Sequence, residues 1–187
     1  LAPSPYHQSY GADAVISPIR NSAERENPHP VYEAFMAQDY SQNFSRDEVR
    51  DTVIPTYMGL IKQLDDHIGR VIKKLESKNL RENTVIVFTS DHGDYLGDHW
   101  LGEKDLYHES SIRIPLIISD PSSNADSTRN TSTQQLVESI DLVPTLVEYA
   151  GGETVEERME GQSLLPLLRG NGKDYRPKAF VISEIDY

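Results

Sequence analysis

The chain contains no cysteine. Disulfides, thiolate zinc sites and a cysteine nucleophile are therefore excluded from its 187 residues. Basic residues are also scarce: 18 Lys and Arg stand against 30 Asp and Glu, a formal net charge of -12. A broad nucleic-acid surface needs clustered basic side chains, so nucleic acid is not expected as a partner. A small anionic partner stays open, because local charge at a site can oppose the net charge. No stretch approaches the roughly 18 to 20 apolar residues of a membrane span, and no membrane partner is expected. No signal peptide is visible. There is no internal repeat and no low-complexity tract. Hydrophobic residues make up 37%, low but compatible with a packed core. The acidic run Glu153, Glu156, Glu157, Glu160 reads as a solvated face or loop.

Residues 1–44 are rich in Pro, Tyr, Ser and Asn without a sustained period, which predicts an extended, coil-rich segment with a short helix near 31–37. Ser45-Arg46-Asp47-Glu48 fits a capping box, with serine as N-cap of a helix. Pro55 is expected to kink or restart that helix. Beyond it, Tyr57, Leu60, Ile61, Leu64, Ile68, Val71, Ile72 and Leu75 fall on one face at helical spacing, a stripe suited to packing on a sheet. Val85-Ile86-Val87-Phe88 is a continuous apolar run, as in a strand buried on both faces, within 83–90. A second such run is 114–118, and 179–183 is a third candidate strand. A helix is predicted over 142–150, capped by Asp141 and stopped by Gly151-Gly152. This order suggests an α/β layered architecture with a mostly parallel sheet.

The chemistry concentrates in the stretch from Thr89 to Lys104, directly after the most strand-like run. Ligands of open α/β sheets bind just beyond the carboxyl ends of strands. Asp91 and His92 would sit there, and a carboxylate beside an imidazole can ligate one divalent metal if the chain bends. Gly93 permits a bend. The residues alone also allow a plainer reading, in which Asp91 caps a turn and His92 lies on the surface.

Ser90-Asp91-His92-Gly93-Asp94, then Leu96-Gly97, Lys104 and Arg113-Ile114-Pro115-Leu116-Ile117-Ile118, resemble the late metal motif of type I sulfatases. His92 after Asp91, and Gly97-Asp98-His99-Trp100, resemble most the phosphonate monoester hydrolase branch. Leu64-Asp65-Asp66-His67-Ile68-Gly69, Asp141-Leu142-Val143-Pro144-Thr145-Leu146, Gly161-Gln162-Ser163-Leu164-Leu165-Pro166-Leu167-Leu168 and Pro3-Ser4-Pro5-Tyr6-His7 resemble further stretches of the family, in order along the chain. The resemblance implies an alkaline-phosphatase-like fold, helices flanking a mostly parallel sheet, of which residues 1–187 would be an incomplete, central-to-late portion. It implies metal-dependent hydrolysis of sulfate esters or of phosphonate or phosphate esters, with a small anionic ester as substrate.

By the same resemblance, Asp91 and His92 match two metal ligands, and Lys104 matches a lysine that contacts the anionic oxygens. His99 and His108 flank Lys104 and are the next candidates for lining the pocket. One divalent metal is implied; an oxygen-rich site with one imidazole suits calcium or manganese, with magnesium ranked behind. The family's nucleophile is a formylglycine made from Cys or Ser before x-P/A-x-R. This chain has no such motif, since Ser119-Asp120-Pro121-Ser122-Ser123 ends in Ser where Arg is needed and reads as a strand-to-turn exit. Early acidic metal ligands are absent as well, so the chain alone is expected to be inactive. Two alternatives stay open: another alkaline-phosphatase-like phosphodiesterase or phosphomutase, and a non-catalytic binding or structural piece.

Overall fold

The structure, a computed structural model, describes residues 2–155 and 157–184. It divides into two compact units. The first comprises Leu1–Asn79 with His92–Pro115, and the second Leu80–Asp91 with Leu116–Tyr187.

The first unit is built on helices α1 (Pro30–Met36), α2 (Asp39–Phe44), α3 (Asp47–Ser77) and the short α4 (Glu109–Ile112). The helix expected near 31–37 is α1, with Pro30 in its first turn and His29 Nδ1 accepting the Val31 N–H at 3.3 Å. The segment 1–44 is richer in structure than expected, holding α2 and three short 3-10 turns besides α1. Ser45 is not an N-cap. It already has helical dihedrals at the end of α2, and its hydroxyl donates to the Ser41 carbonyl. Arg46 takes the N-cap position, and Asp47 and Glu48 place negative charge in the first turn of α3.

Helix α3 continues for 31 residues through Pro55, so the helix does not restart there. The segments on both sides carry their own hydrogen-bond ladders, and proline removes only the bond to the carbonyl one turn back. The apolar stripe also departs from expectation. Tyr57, Leu60, Ile61, Leu64 and Val71 are 38% to 60% exposed rather than packed on a sheet. What α3 buries is Arg50 near its start and, on the side opposite the stripe, Pro55 and Gly59. The turn Tyr6–Gln8 crosses the helix there, and a Cβ on Gly59 would lie 2.4 Å from the Tyr6 carbonyl oxygen. The Tyr6 hydroxyl donates to Asp66 at 3.0 Å, tying the same turn to α3 further along.

The second unit holds strands β1 (Ile86–Thr89) and β2 (Leu116–Ser119), helices α5 (Leu142–Tyr149) and α6 (Leu165–Leu168), and loops. The sheet expected to be mostly parallel is an antiparallel pair among the described residues, with Ile86 opposite Ser119 and Thr89 opposite Leu116. Both strands are half-buried rather than buried on both faces, because neither has a second neighbour here. The expected strand at 179–183 is irregular chain. Glu153, Glu157 and Glu160 are exposed in turn and loop as expected; Glu156 lies outside the described residues. Asp120 ends β2 in a turn, accepting the Ser122 N–H at 2.8 Å, so the pseudo-motif at 119–123 is the strand-to-turn exit anticipated.

Asp141 precedes α5 but does not cap it. It is fully buried, and its carboxylate accepts from Lys178 Nζ at 2.8 and 2.9 Å, the Gln162 N–H at 2.9 Å and the Glu138 N–H at 2.8 Å. A carboxylate so fully engaged has no lone pair left for the helix N-terminus. Burial works against the Lys178 charge, but the bonds to Asp141 and Glu138 outweigh it and hold the ammonium above the usual lysine range. Gly151, in the left-handed region, follows the last turn of α5 as expected. Among the described residues no helix is long and apolar enough to cross a membrane.

Gly59→Ala tests the crossing on α3. Alanine favours a helix by about 1 kcal/mol, whereas forcing a methyl group against backbone costs about 1–3 kcal/mol. The clash is expected to win, with a lower urea midpoint; an unchanged or higher midpoint would show that the Tyr6–Gln8 turn does not press on the helix.

Candidate functional site

Strand β1 ends at Thr89, so Asp91 and His92 follow just beyond its carboxyl end, as anticipated. Both are exposed. His92 Nδ1 lies 2.7 Å from the Gly93 carbonyl oxygen. A carbonyl can only accept, so Nδ1 carries the hydrogen and the lone pair of a neutral ring falls on Nε2. Gly93 is demanded by close approach more than by a bend: a Cβ would sit 2.0 Å from the Ser110 carbonyl oxygen.

From Gly93 the chain forms an arm whose alternate amides are satisfied in turn. Gly93 N–H donates to Ser111 O at 2.7 Å, Tyr95 N–H to Glu103 O at 2.7 Å and Gly97 N–H to Leu101 O at 2.9 Å. The loop so formed carries Lys104. Burial raises the Asp94 carboxyl pKa and Glu103 adds to it, while the Leu96 N–H, which donates to Asp94 at 2.9 Å, opposes it, as more weakly do His92 and Lys104.

The loop is held from outside by residues that the sequence did not single out. Arg50, buried on α3, donates from Nε to the Leu96 carbonyl at 2.9 Å and from its terminal nitrogen to the Ile16 carbonyl at 3.1 Å. Burial, and then the neighbouring Arg20, pull its pKa below the usual arginine value, while Asp47 at 3.8 Å opposes them. Arg20 donates to the Gly97 carbonyl at 2.7 Å, to the Phe44 carbonyl at 2.6 Å and to Asp47 at 2.9 Å. Gly97 has φ +100, and a Cβ there would meet Arg50 Cδ at 2.6 Å and Phe44 O at 2.7 Å. Fully buried Ser41 accepts the Gly102 N–H at 3.1 Å. Asp98 accepts the Ile19 N–H at 2.9 Å and the Ser110 hydroxyl at 2.8 Å.

Trp100 is sandwiched, with the Arg20 and Arg25 guanidinium carbons 4.7 and 4.9 Å from its ring centroid, and its indole N–H donates to Asn21 O at 3.0 Å. His99 and His108 are brought together as a stacked pair with centroids 4.0 Å apart. Arg113 pairs with Glu109 on the surface. A single sequence gives no direct signal for Arg20 or Arg50, since their function depends on carbonyls brought near by folding.

The comparisons now bear on this geometry. The sulfatase family model matches residues 20–152. The chain belongs to the sulfatase family. It is 37% identical to a multifunctional alkaline phosphatase superfamily protein from Trinickia caryophylli, over 94% of this chain and 36% of that protein. It is 36% identical to an N-acetylglucosamine-6-O-sulfatase from Bacteroides thetaiotaomicron, over 66% of this chain and 22% of that protein. Among solved structures it resembles the phosphonate monoester hydrolase from Silicibacter pomeroyi with TM-score 0.83 and 30% identity, covering 94% of this chain and 36% of that one. The chain thus spans between about a fifth and about a third of the length of these relatives, and the small sheet is an incomplete α/β fold of the alkaline-phosphatase-like kind.

Arg50→Lys tests the clamp. Lysine offers one point donor where arginine forks to two carbonyls, leaving the part-buried Leu96 or Ile16 carbonyl unpaired. A loss of about 1–3 kcal/mol in unfolding free energy is expected from denaturant titration. A loss within error of zero would show that the forked contact is dispensable.

Proposed function

We propose that the protein to which this chain belongs hydrolyses sulfate esters or phosphonate or phosphate esters, and that this chain supplies Asp91 and His92 to a divalent metal and Lys104 to the anionic oxygens. The observation that carries the reading is the place of Asp91 and His92 just beyond the carboxyl end of β1, leading into the loop of Lys104, in a sequence that resembles the late metal motif of this sulfatase family.

The donor set fits a divalent cation. The hydrogen bond from His92 Nδ1 to Gly93 O orients the imidazole and puts the lone pair of a neutral ring on Nε2, the nitrogen that would ligate the ion. Asp91 adds an adjacent exposed carboxylate. No group of three or more candidate ligands occurs among the described residues, so this chain would provide only part of the coordination sphere. Calcium or manganese suits an oxygen-rich site with one imidazole. Such an ion, when bound, supplies Lewis-acid stabilisation of charge on the ester oxygens.

Lys104 does the complementary work on the chain's own side. Its ammonium is a compact donor that can meet an oxygen gathering charge during transfer. By family resemblance the nucleophile is a formylglycine, and the reading assigns it to sequence beyond these residues.

Two variants of the intact enzyme separate the roles. Lys104→Ala is expected to lower kcat about a hundredfold, the usual cost of one preorganised contact to a transition state, with metal content unchanged. Asp91→Ala is expected to lose metal and activity together. Metal analysis beside steady-state kinetics on aryl sulfate and phosphonate ester substrates reads both. Full activity in Lys104→Ala would overturn the role given to that lysine.

A further inference from the structure

Beside the residues assigned to metal and anion, the first unit contains a connected set of aromatic and imidazole side chains. Tyr95 is 1% exposed, and its hydroxyl lies 2.9 Å from His108 Nδ1. The His108 ring stacks on His99 at 4.0 Å with the planes 17° apart. His99 Nδ1 lies 2.7 Å from Glu24 Oε1. Tyr32 donates its hydroxyl to the His99 carbonyl and sets its ring 5.9 Å from that of His108. The backbone of Tyr95 points the other way along the loop, its N–H donating to Glu103 O, the carbonyl next to Lys104.

The proton positions follow from chemistry. Burial pushes the Tyr95 hydroxyl up to about 12, opposed by a bond from the His108 backbone and assisted by Asp105. Tyr95 therefore keeps its hydroxyl proton at neutral pH, and a neutral His108 ring with its lone pair on Nδ1 can accept it. Burial, and then neighbouring His99, hold the His108 imidazole below its ordinary value, with Glu24 acting in the opposite sense.

We infer that Tyr95 and His108 are positioning residues for Lys104, and that the stacked imidazoles make this positioning sensitive to acid. The inference rests on the reading of Lys104 as the anion contact. Protonating His108 puts a hydrogen on Nδ1, so the Tyr95 hydroxyl can no longer donate there and must turn to accept instead. It also sets a positive charge against the face of the stacked His99 ring. The groups facing His108 are Tyr32 from α1, Tyr95 and His99 from the loop and, through His99, Glu24 from the turn Ser22–Arg25. The sign follows from the lowered folded-state pKa. The unfolded loop binds the proton more readily, so the loop's stability is complete above the ordinary histidine value of 6.5 and declines as pH falls below it.

The test uses the intact enzyme and three variants: Tyr95→Phe, His108→Ala and His108→Gln. The glutamine oxygen can accept the Tyr95 O–H but cannot take up a proton. Amide hydrogen exchange at Glu103, Lys104 and Asp105, corrected for intrinsic rates, is followed at about pH 7.5 and pH 5.5, on either side of the histidine range. The wild type is expected to exchange about tenfold faster at the lower pH, as for loss of one buried hydrogen bond. Tyr95→Phe and His108→Ala should exchange about tenfold faster already at the higher pH, with kcat lowered about tenfold and KM and metal content unchanged. His108→Gln should exchange slowly at both.

An acid response that survives in His108→Gln, or Tyr95→Phe with wild-type exchange and kcat, would overturn the inference. Exchange responses as expected beside a fully active Lys104→Ala would uphold the loop device and overturn only the role of Lys104. An inactive Lys104→Ala with exchange unmoved in Tyr95→Phe would do the reverse.

Discussion

The buried guanidinium of Arg50 is the constraint on which the loop of the first unit depends. A charged side chain at 4% exposure must have its hydrogen bonds supplied by the protein. Arg50 obtains them from two backbone carbonyls, Leu96 and Ile16, that lie far apart in sequence. Each of those carbonyls gains a partner it would lack away from water. The guanidinium therefore fixes where the loop and the leading segment lie against α3. Arg20 repeats the device at Gly97 and Phe44, and Asp47 lies within reach of both arginines. Gly97 cannot move outward without losing the Arg20 bond, and no side chain fits beside Arg50 at that position.

This arrangement also settles a conflict between global and local charge. A chain of net charge -12 repels a small anion at long range. Screening limits that repulsion to about 8–10 Å at physiological salt, so the local set of charges governs the approach. Arg20, Arg25, Arg50, His92 and Lys104 all belong to the loop or to the elements that hold it. Arg20 and Arg50 direct their donors to carbonyls and Asp47, whereas Lys104 is the cation proposed above to meet an anionic ligand.

Periodicity made α3 legible in the sequence, but it identified only which side is apolar and not what covers that side. The stripe from Tyr57 to Val71 is exposed, while a glycine and a proline mark the face that packs. The strands were legible as apolar runs, and their antiparallel pairing was not, because direction depends on the path of the connection. Ser45 and Asp141 had the chemistry of caps. Ser45 was already committed to the preceding helix, and Asp141 to Lys178 and Gln162. In both cases a long-range or adjacent element outweighed the local signal. The position of Asp91 and His92 beyond β1 was readable because it follows directly along the chain from the strand. The arginine clamp was not readable, since carbonyl oxygens are present at every residue and nothing in the sequence marks which ones an arginine will meet.

The backbone around Lys104 shows why such a clamp is needed. Leu96, His99, Trp100, Glu103 and Asp105 all have positive φ, and none is glycine. Each such residue costs on the order of 1–2 kcal/mol relative to ordinary backbone. A run of them collapses to a relaxed path unless surrounding bonds hold it. Those bonds are present at nearly every step: Arg50 at Leu96, Tyr32 at His99, the two arginines on Trp100, and Tyr95 at Glu103. Lys104 lies between two of the unfavourable residues, Glu103 and Asp105. A lysine side chain has four rotatable carbons and little preference of its own. In the role proposed for Lys104, fixing the backbone on both sides would bring a flexible ammonium to a defined place before a ligand arrives. A charge placed in advance stabilises a developing negative charge without reorganising, which is the condition for a single cation to affect a rate strongly.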